Sequence, residues 1–535
     1  MQKSEKCGIV IIVMEITTSR KIDNNSVLVF VLKETGFSKN SKQRPEIENH
    51  PFFKSLDRQD KDFLLDFQKK SPIKDSHSHL IYLPSRREVI FLGVPERKNW
   101  NHRKALITAR RAVFFARRER VKGITINLED FISNDFKNNA VRLAEVIAIQ
   151  IEMANFEFVQ YKEKPKEGWN FVESVVVFSK KSPKAVYASI NSGKIIGEEI
   201  NKARILSNTP GGDMTPKKLA DDAIKSAKEA GFKIKVLEEQ DIKKLKMGGV
   251  LGVSKGSNER PKFIIMEYMK GGKTEQPVVL VGKGVTFDTG GLNLKSEQGI
   301  YEMHMDMSGG AAVIHTVAAI ARLKLKKNII GIVPAVENMP SGSSYRPGDL
   351  LKTMSGKTIE VLNTDAEGRV ILADGLTYAK KYNPSLIIDV ATLTGSAMAA
   401  LGQKASAIFT RSQKLERELR AVGEKTGDFV WPLPLWEEFE EDIKGTFGDV
   451  ANVGKTRYGG AITGAVFLWQ FVKNSSSDFL SLKKGNASYL NSNRDIPWVH
   501  IDIAPRMTSF EGEFLAKGAA GASIGLLVYF LRDNK

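Results

Sequence analysis

Two short stretches of the chain carry carboxylates and lysines at spacings suited to holding cations. The first is Gly282-Lys283-Gly284-Val285-Thr286-Phe287-Asp288-Thr289-Gly290-Gly291-Leu292-Asn293-Leu294-Lys295, with Asp306 soon after it. The second is Asn363-Thr364-Asp365-Ala366-Glu367-Gly368-Arg369. Read as extended backbone, the second stretch places Asp365, Glu367 and Arg369 on one side. Carboxylates held that close repel unless something positive lies between them, and a divalent cation is the usual answer. Oxygen-rich ligation suits Mg, Mn or Zn. Asp288 and Asp306 bring the set to four carboxylates, more than one cation with an open position requires. Two cations sharing bridging carboxylates would neutralise the set and could clamp a water nucleophile. Taken singly, each of these residues also fits an ordinary surface ion pair, which contributes little. As a group lodged between glycines after apolar strands they do not, because buried Lys and Glu need partners.

The elements that must position these stretches read as strands alternating with helices, hence an α/β fold. In the second part of the chain the strands are 264–268, 278–281, 328–333, 358–362, 386–390 and 499–503. Several are apolar without alternation, as in strands of a mixed or mostly parallel sheet covered by helices on both faces. Both chemical stretches follow directly on a strand, at the carboxyl end where open α/β sheets place their functional side chains. The first part repeats the rhythm in 27–32, 89–93, 123–127 and 175–178. A polar, proline-containing stretch at 179–184 then marks a boundary near 185. The expectation is a smaller N-terminal α/β domain, 1–185, and a larger C-terminal catalytic domain, 186–535. A helix of about 20 residues should lead into the second. Residues 474–493, rich in Ser, Asn and Lys, read as a solvated loop.

Composition narrows the class. With 535 residues, 42% hydrophobic and 27% charged, the chain is globular and long enough for more than one domain, which excludes a disordered tail or a disulfide-stapled miniprotein. The early apolar run Gly8–Met14 is far short of the roughly 20 residues a bilayer requires and has no cleavage pattern after it. It reads as a strand, and no membrane partner is expected. The single cysteine, Cys7, cannot form an intramolecular disulfide or a cysteine zinc cluster, which fits a cytoplasmic location.

The strings VGKGVTFDTGGLNLK and NTDAEGR, with the spacings from Lys283 to Asp288, Asp306, Asp365 and Glu367, resemble the two signature stretches of the M17 leucyl aminopeptidase family (cytosol aminopeptidases). The resemblance covers roughly 195–530 and is supported by NTPGGDMTP at 208–216, DVATLTG at 389–395 and PWVHIDIAP at 497–505. It implies one metal on Asp288, Asp365 and Glu367, and another on Lys283, Asp288, Asp306 and Glu367, with Zn or Mn as the ions. A lysine ligates only as the neutral amine, so Lys283 is expected to have a depressed pKa. The resemblance also implies that Lys295 is a charged electrophile and that Arg369 holds a bicarbonate ion. Met303, Thr392 and Leu393 would line the pocket for the first side chain, apolar such as leucine; a plain core role fits those three equally well. The implied activity is release of N-terminal amino acids from short peptides by a water bridging two metals. The implied assembly is a homohexamer with inward-facing sites.

One feature stands apart. Of the net charge of +18, eleven units fall within residues 1–185. Arg103, Lys104, Arg110, Arg111, Arg117 and Arg118 repeat every seven residues, an arc of roughly 140° on a helix. Such a stripe could contact nucleic-acid phosphates, giving the alternative of a polyanion or DNA-binding protein on a peptidase scaffold; a solvated helix face in a basic protein is the plainer reading.

Overall fold

In a computed structural model the described residues are 14–23, 25–34, 46–136, 139–180, 183–473 and 495–533. Cys7, the apolar run up to residue 13 and the 474–493 loop lie outside them. The chain divides into two compact units: one runs up to Glu198 and takes in Phe510–Lys517, and the other holds Glu199–Ser509 and the chain from Gly518 onward. The division falls inside the helix Pro183–Asn208, which starts on a proline and runs on through the position where the polar stretch had set the boundary.

In the first unit, among the described residues, six strands form one sheet, in the order Glu15–Ser19, Ser174–Phe178, Gly123–Asn127, Val27–Lys33, Glu88–Val94 and Ser78–Tyr82. All neighbours are parallel except the last pair. The helices His102–Arg118 and Ala140–Ala154 pack on each other and share an apolar core with alternate residues of the strands.

This packing overturns the basic stripe. Arg110, Arg111 and Arg117 are buried. Arg110 donates from Nε to Gln150 Oε1 at 2.7 Å and pairs with Glu513 at 3.5 Å. Arg111 reaches the Gly93 carbonyl at 2.5 Å. Arg117 donates to the carbonyls of Ala154 and Phe156, pairs with Glu157 at 2.6 Å and lies over the Phe171 ring. These guanidiniums serve backbone carbonyls and carboxylates inside the unit, so they offer nothing to a polyanion. Arg103 and Arg118 are exposed and Lys104 is half-buried.

Among the described residues the second unit centres on a nine-stranded mixed sheet. Its main path runs Val430–Pro432, Ser406–Phe409, Trp498–Asp502, Leu386–Ala391, Val278–Gly282, Asn328–Asn338, Lys262–Met269 and Lys233–Leu237. The central strands are parallel, and antiparallel pairing enters toward the edges. A short strand, Gly284–Asp288, pairs with the far end of Asn328–Asn338. The helices Ser308–Arg322 and Glu367–Ala379 pack on the central strand Val278–Gly282. Among the described residues no helix is long and apolar enough to cross a membrane.

Two helices, Pro183–Asn208 and Ser308–Arg322, are joined by a buried ion cluster. Glu199 pairs with His315 Nδ1 at 2.7 Å, Lys202 at 3.0 Å and Arg322 at 2.5 Å. Burial by itself would raise its carboxyl, but His315, and then Lys202 and Arg322, bring it down to about 2. A depressed carboxyl stabilises the fold above its unfolded pKa of about 4.5 and loses that contribution as pH falls toward 2. Glu199→Gln is therefore expected to lower stability at neutral pH by roughly 3 kcal/mol and to change it little near pH 2. Urea unfolding of both chains across that pH range checks this, and equal curves would contradict it.

Candidate metal centre

All the candidate ligands lie in the second unit, at one end of its central strands. Lys283 occupies the break between Val278–Gly282 and Gly284–Asp288, with its amide held by the Val390 carbonyl at 3.0 Å and its own carbonyl by Gly310 N at 2.7 Å. Its buried ammonium has three acceptors for three protons: Asp306 Oδ1 at 2.8 Å, the Thr392 carbonyl at 2.9 Å and Glu367 Oε1 at 2.8 Å. The approach is close, since a Cβ on Gly368 would come within 2.4 Å of Lys283 Cε. Asp288 ends its strand and pairs through Oδ2 with Lys295 at 2.8 Å. Lys295 also bonds Asp365.

Gly290 and Gly291 turn the chain between Asp288 and Lys295 at φ of 84° and 65°, the left-handed region that favours glycine. The segment they form is laced to the second stretch. Thr364 Oγ1 donates to the Gly290 carbonyl at 2.6 Å, and Thr364 N donates to Asn293 Oδ1 at 2.8 Å. Asp365 sits in a turn closed by its amide on Asn363 Oδ1 at 2.8 Å, and Glu367 opens the helix Glu367–Ala379. Asp365 and Glu367 thus share a site through a turn into a helix, not through the alternation of an extended segment.

Asp288, Asp365 and Glu367 each offer an oxygen within 4.8 Å of the others. Burial first, with the neighbouring carboxylates adding to it, raises the carboxyls of Asp288, Asp306 and Asp365 above the usual carboxylate range, against the pull of Lys283 and Lys295. Burial would depress both lysines, but the carboxylates outweigh it: Asp306, Glu367 and Asp288 raise Lys283, and Asp288, Glu367 and Asp365 raise Lys295. The expected neutral amine at Lys283 is therefore not what the chain alone favours. Without a cation, the ammonium is the positive charge that holds the carboxylates together. The donor set fits a divalent cation that displaces one proton from Lys283 on binding: hard carboxylate oxygens, the amine so freed, and a buried Glu367 Oε2 that accepts no hydrogen bond.

Arg369, two residues into the same helix, is buried; NH1 donates to the Asn452 carbonyl at 2.9 Å, while Nε has no partner. Burial lowers its pKa to about 10, which leaves it charged at neutral pH. Thr392 turns inward, its hydroxyl donating to Asp306 Oδ1 at 2.7 Å. Leu393 is half-buried, with its amide on Asp502 Oδ1 at 3.1 Å. Met303 is half-buried beside Met305, Met507 and Ala519. Two side chains of this neighbourhood escaped the sequence reading, Asn338 and Tyr345. The available signal was an asparagine ending a long apolar strand, where a buried amide needs partners.

The family model described as the catalytic domain of the cytosol aminopeptidase family matches residues 201–528. The chain belongs to the cytosol aminopeptidase family. Relatives include a probable cytosol aminopeptidase of Methylobacillus flagellatus, 41% identical over 74% of this chain and 75% of that protein. One from Chlorobaculum tepidum is 43% identical over 69% of each chain. Among solved structures, the bottromycin maturation enzyme BotP is similar at 27% identity with a TM-score of 0.77, over 95% of this chain and 98% of that one. BotP in complex with Mn is similar at 26% identity and the same TM-score, over 95% and 99%. Membership in this peptidase family makes the chain a peptide hydrolase of the aminopeptidase kind, and gives the carboxylate and lysine cluster its chemical context.

Proposed function

We propose that this chain is a dinuclear metallo-aminopeptidase that releases N-terminal amino acids, preferably apolar ones such as leucine, from short peptides. The observation that carries this reading is the cluster of buried Lys283, Asp288, Asp306 and Glu367 with half-buried Asp365, whose crowded carboxylates call for cations. In this reading Asp288, Asp365 and Glu367 hold one ion, and Lys283, Asp288, Asp306 and Glu367 hold the other. Mn or Zn are the ions the donor set favours, and the Mn complex of BotP supports Mn. If bound, the pair would supply an acidified water, positive charge for the carbonyl oxygen and a seat for the substrate's free α-amine, which would make the reaction exopeptidic.

The chain's own groups do the rest. Lys295, kept charged by Asp288 and Asp365, donates to the scissile carbonyl oxygen as negative charge grows on it. Arg369 offers its unpartnered Nε to an anion, for which bicarbonate fits. Leu393 and Met303 present apolar surface to the first side chain, and Thr392 contributes by holding Asp306. A cytoplasmic location accords with the relatives' names and with a single cysteine. A homohexamer follows from the family resemblance, and the exposed Trp436, Phe447 and Tyr458 leave apolar surface for such an assembly to cover. Equilibrium dialysis of the metal-stripped protein against Mn tests the reading: two ions per chain are expected, with hydrolysis returning as they bind. Uptake of one ion or none at full activity would contradict it.

A further inference from the structure

Asn338 is fully buried at the carboxyl end of Asn328–Asn338, in register with Asp288 on the neighbouring parallel strand. Its Nδ2 donates to Asp288 Oδ1 at 2.8 Å and to the Thr364 carbonyl at 2.9 Å. Both partners are acceptors, so only the NH2 half of the amide can serve them, and the orientation of the side chain is fixed by chemistry. Asp288 Oδ1 also accepts from Gly290 N at 2.9 Å. That oxygen is therefore engaged by two donors, and Oδ2 is the one turned to Lys295. The Thr364 carbonyl likewise has a second donor, Tyr345 OH at 2.6 Å. The backbone carbonyl of Asn338 accepts from Thr289 Oγ1 at 2.7 Å and from Thr289 N at 3.1 Å, which seats the residue against the first stretch from behind.

One amide thus ties the strand that ends in Asp288 to the turn that carries Asp365, two segments far apart in sequence. Its Oδ1, buried, accepts no hydrogen bond. An apolar residue in this position would leave no such orphan, so a carboxamide is explained by what its NH2 half holds.

We infer that Asn338 is a positioning residue for the metal centre: its side-chain amide locks Asp288 to the Thr364–Asp365 turn, so cation affinity depends on a group that ligates nothing. This rests on the metallo-aminopeptidase reading. The geometry gives the role a direction. Tyr345 braces only the turn, whereas Asn338 braces the turn and a carboxylate together, so losing Asn338 should cost more affinity than losing the Tyr345 hydroxyl.

The test uses the full chain, stripped of metal, with Mn binding followed by the electron paramagnetic resonance of free Mn, beside thermal melting and steady-state kinetics on a leucyl anilide. Asn338→Ala removes the amide. Asn338→Leu removes it while filling its space, and carries the comparison if the alanine variant does not fold. Tyr345→Phe removes only the second brace. In both Asn338 variants the Mn dissociation constant is expected to rise roughly 10- to 100-fold, as for other groups that orient ligands, with KM at saturating Mn unchanged. Tyr345→Phe should shift it less. A merely structural role predicts lower melting temperatures with the parent's Mn affinity retained per folded chain, and that result overturns the inference alone. No Mn uptake by the parent chain would overturn the metal reading together with it.

Discussion

Glu367→Ala is expected to lower turnover of an unblocked leucyl anilide about a thousandfold while the chain stays folded, and Asp288→Ala should do the same. Each of these carboxylates stands in both proposed ligand sets. Glu367 meets Lys283 through Oε1 at 2.8 Å and keeps a buried Oε2 with no donor; Asp288 is gripped by Lys295 at 2.8 Å. Removing either takes a shared ligand from both ions. A bound cation contributes several kcal/mol to stabilising charge in hydrolysis, and about 4 kcal/mol corresponds to roughly three orders of magnitude in rate. The fold should survive because the cluster is electrostatically crowded. Glu367 raises the carboxyls of both Asp288 and Asp306, so its loss relieves repulsion, and Lys283 retains Asp306 and the Thr392 carbonyl. Circular dichroism and kcat at saturating Mn check both halves of the statement. Normal turnover in either variant removes the assignment.

The second large effect is at Lys295. Its ammonium sits at the partly open side of the cluster, held by Asp288 and Asp365, and their charges keep it protonated against the pull of burial. A preorganised donor aimed at the carbonyl oxygen acts more strongly in the transition state than in the bound substrate. Lys295→Ala should therefore lower kcat by roughly two orders of magnitude and leave KM nearly unchanged. Mn stoichiometry should stay at the parent value, which separates loss of the electrophile from loss of the ions. An unchanged kcat takes Lys295 out of the reaction.

Much of the site was legible because its information is local. The spacing from Lys283 to Asp288 and Lys295, and the glycines between them, encode a strand, a break and a left-handed turn, all within one stretch. The apolar runs at 278–281, 328–333 and 386–390 read as central strands because helices cover them on both faces. Strand Lys233–Leu237 was not legible: it is a half-exposed edge strand whose lysines hide its apolar residues. A turn closed by Asn363 brings Asp365 and Glu367 together, and not the extended run that their spacing suggests. The basic stripe misled because periodicity reports a helix face and says nothing of what covers it. The carbonyls of Gly93, Ala154 and Phe156 that receive Arg111 and Arg117 come from other elements. Asn338 was missed for the same reason, as its partners lie 50 and 26 residues away.

If the cluster holds cations that serve a free α-amine, one comparison shows it directly. Hydrolysis of leucyl anilide is measured beside its N-acetylated twin, with metal-stripped protein and again after Mn or Zn is restored. Silence on both substrates is expected without metal, with activity returning on the unblocked substrate alone once metal is restored. Equal cleavage of the acetylated twin, or full activity after stripping, would contradict it.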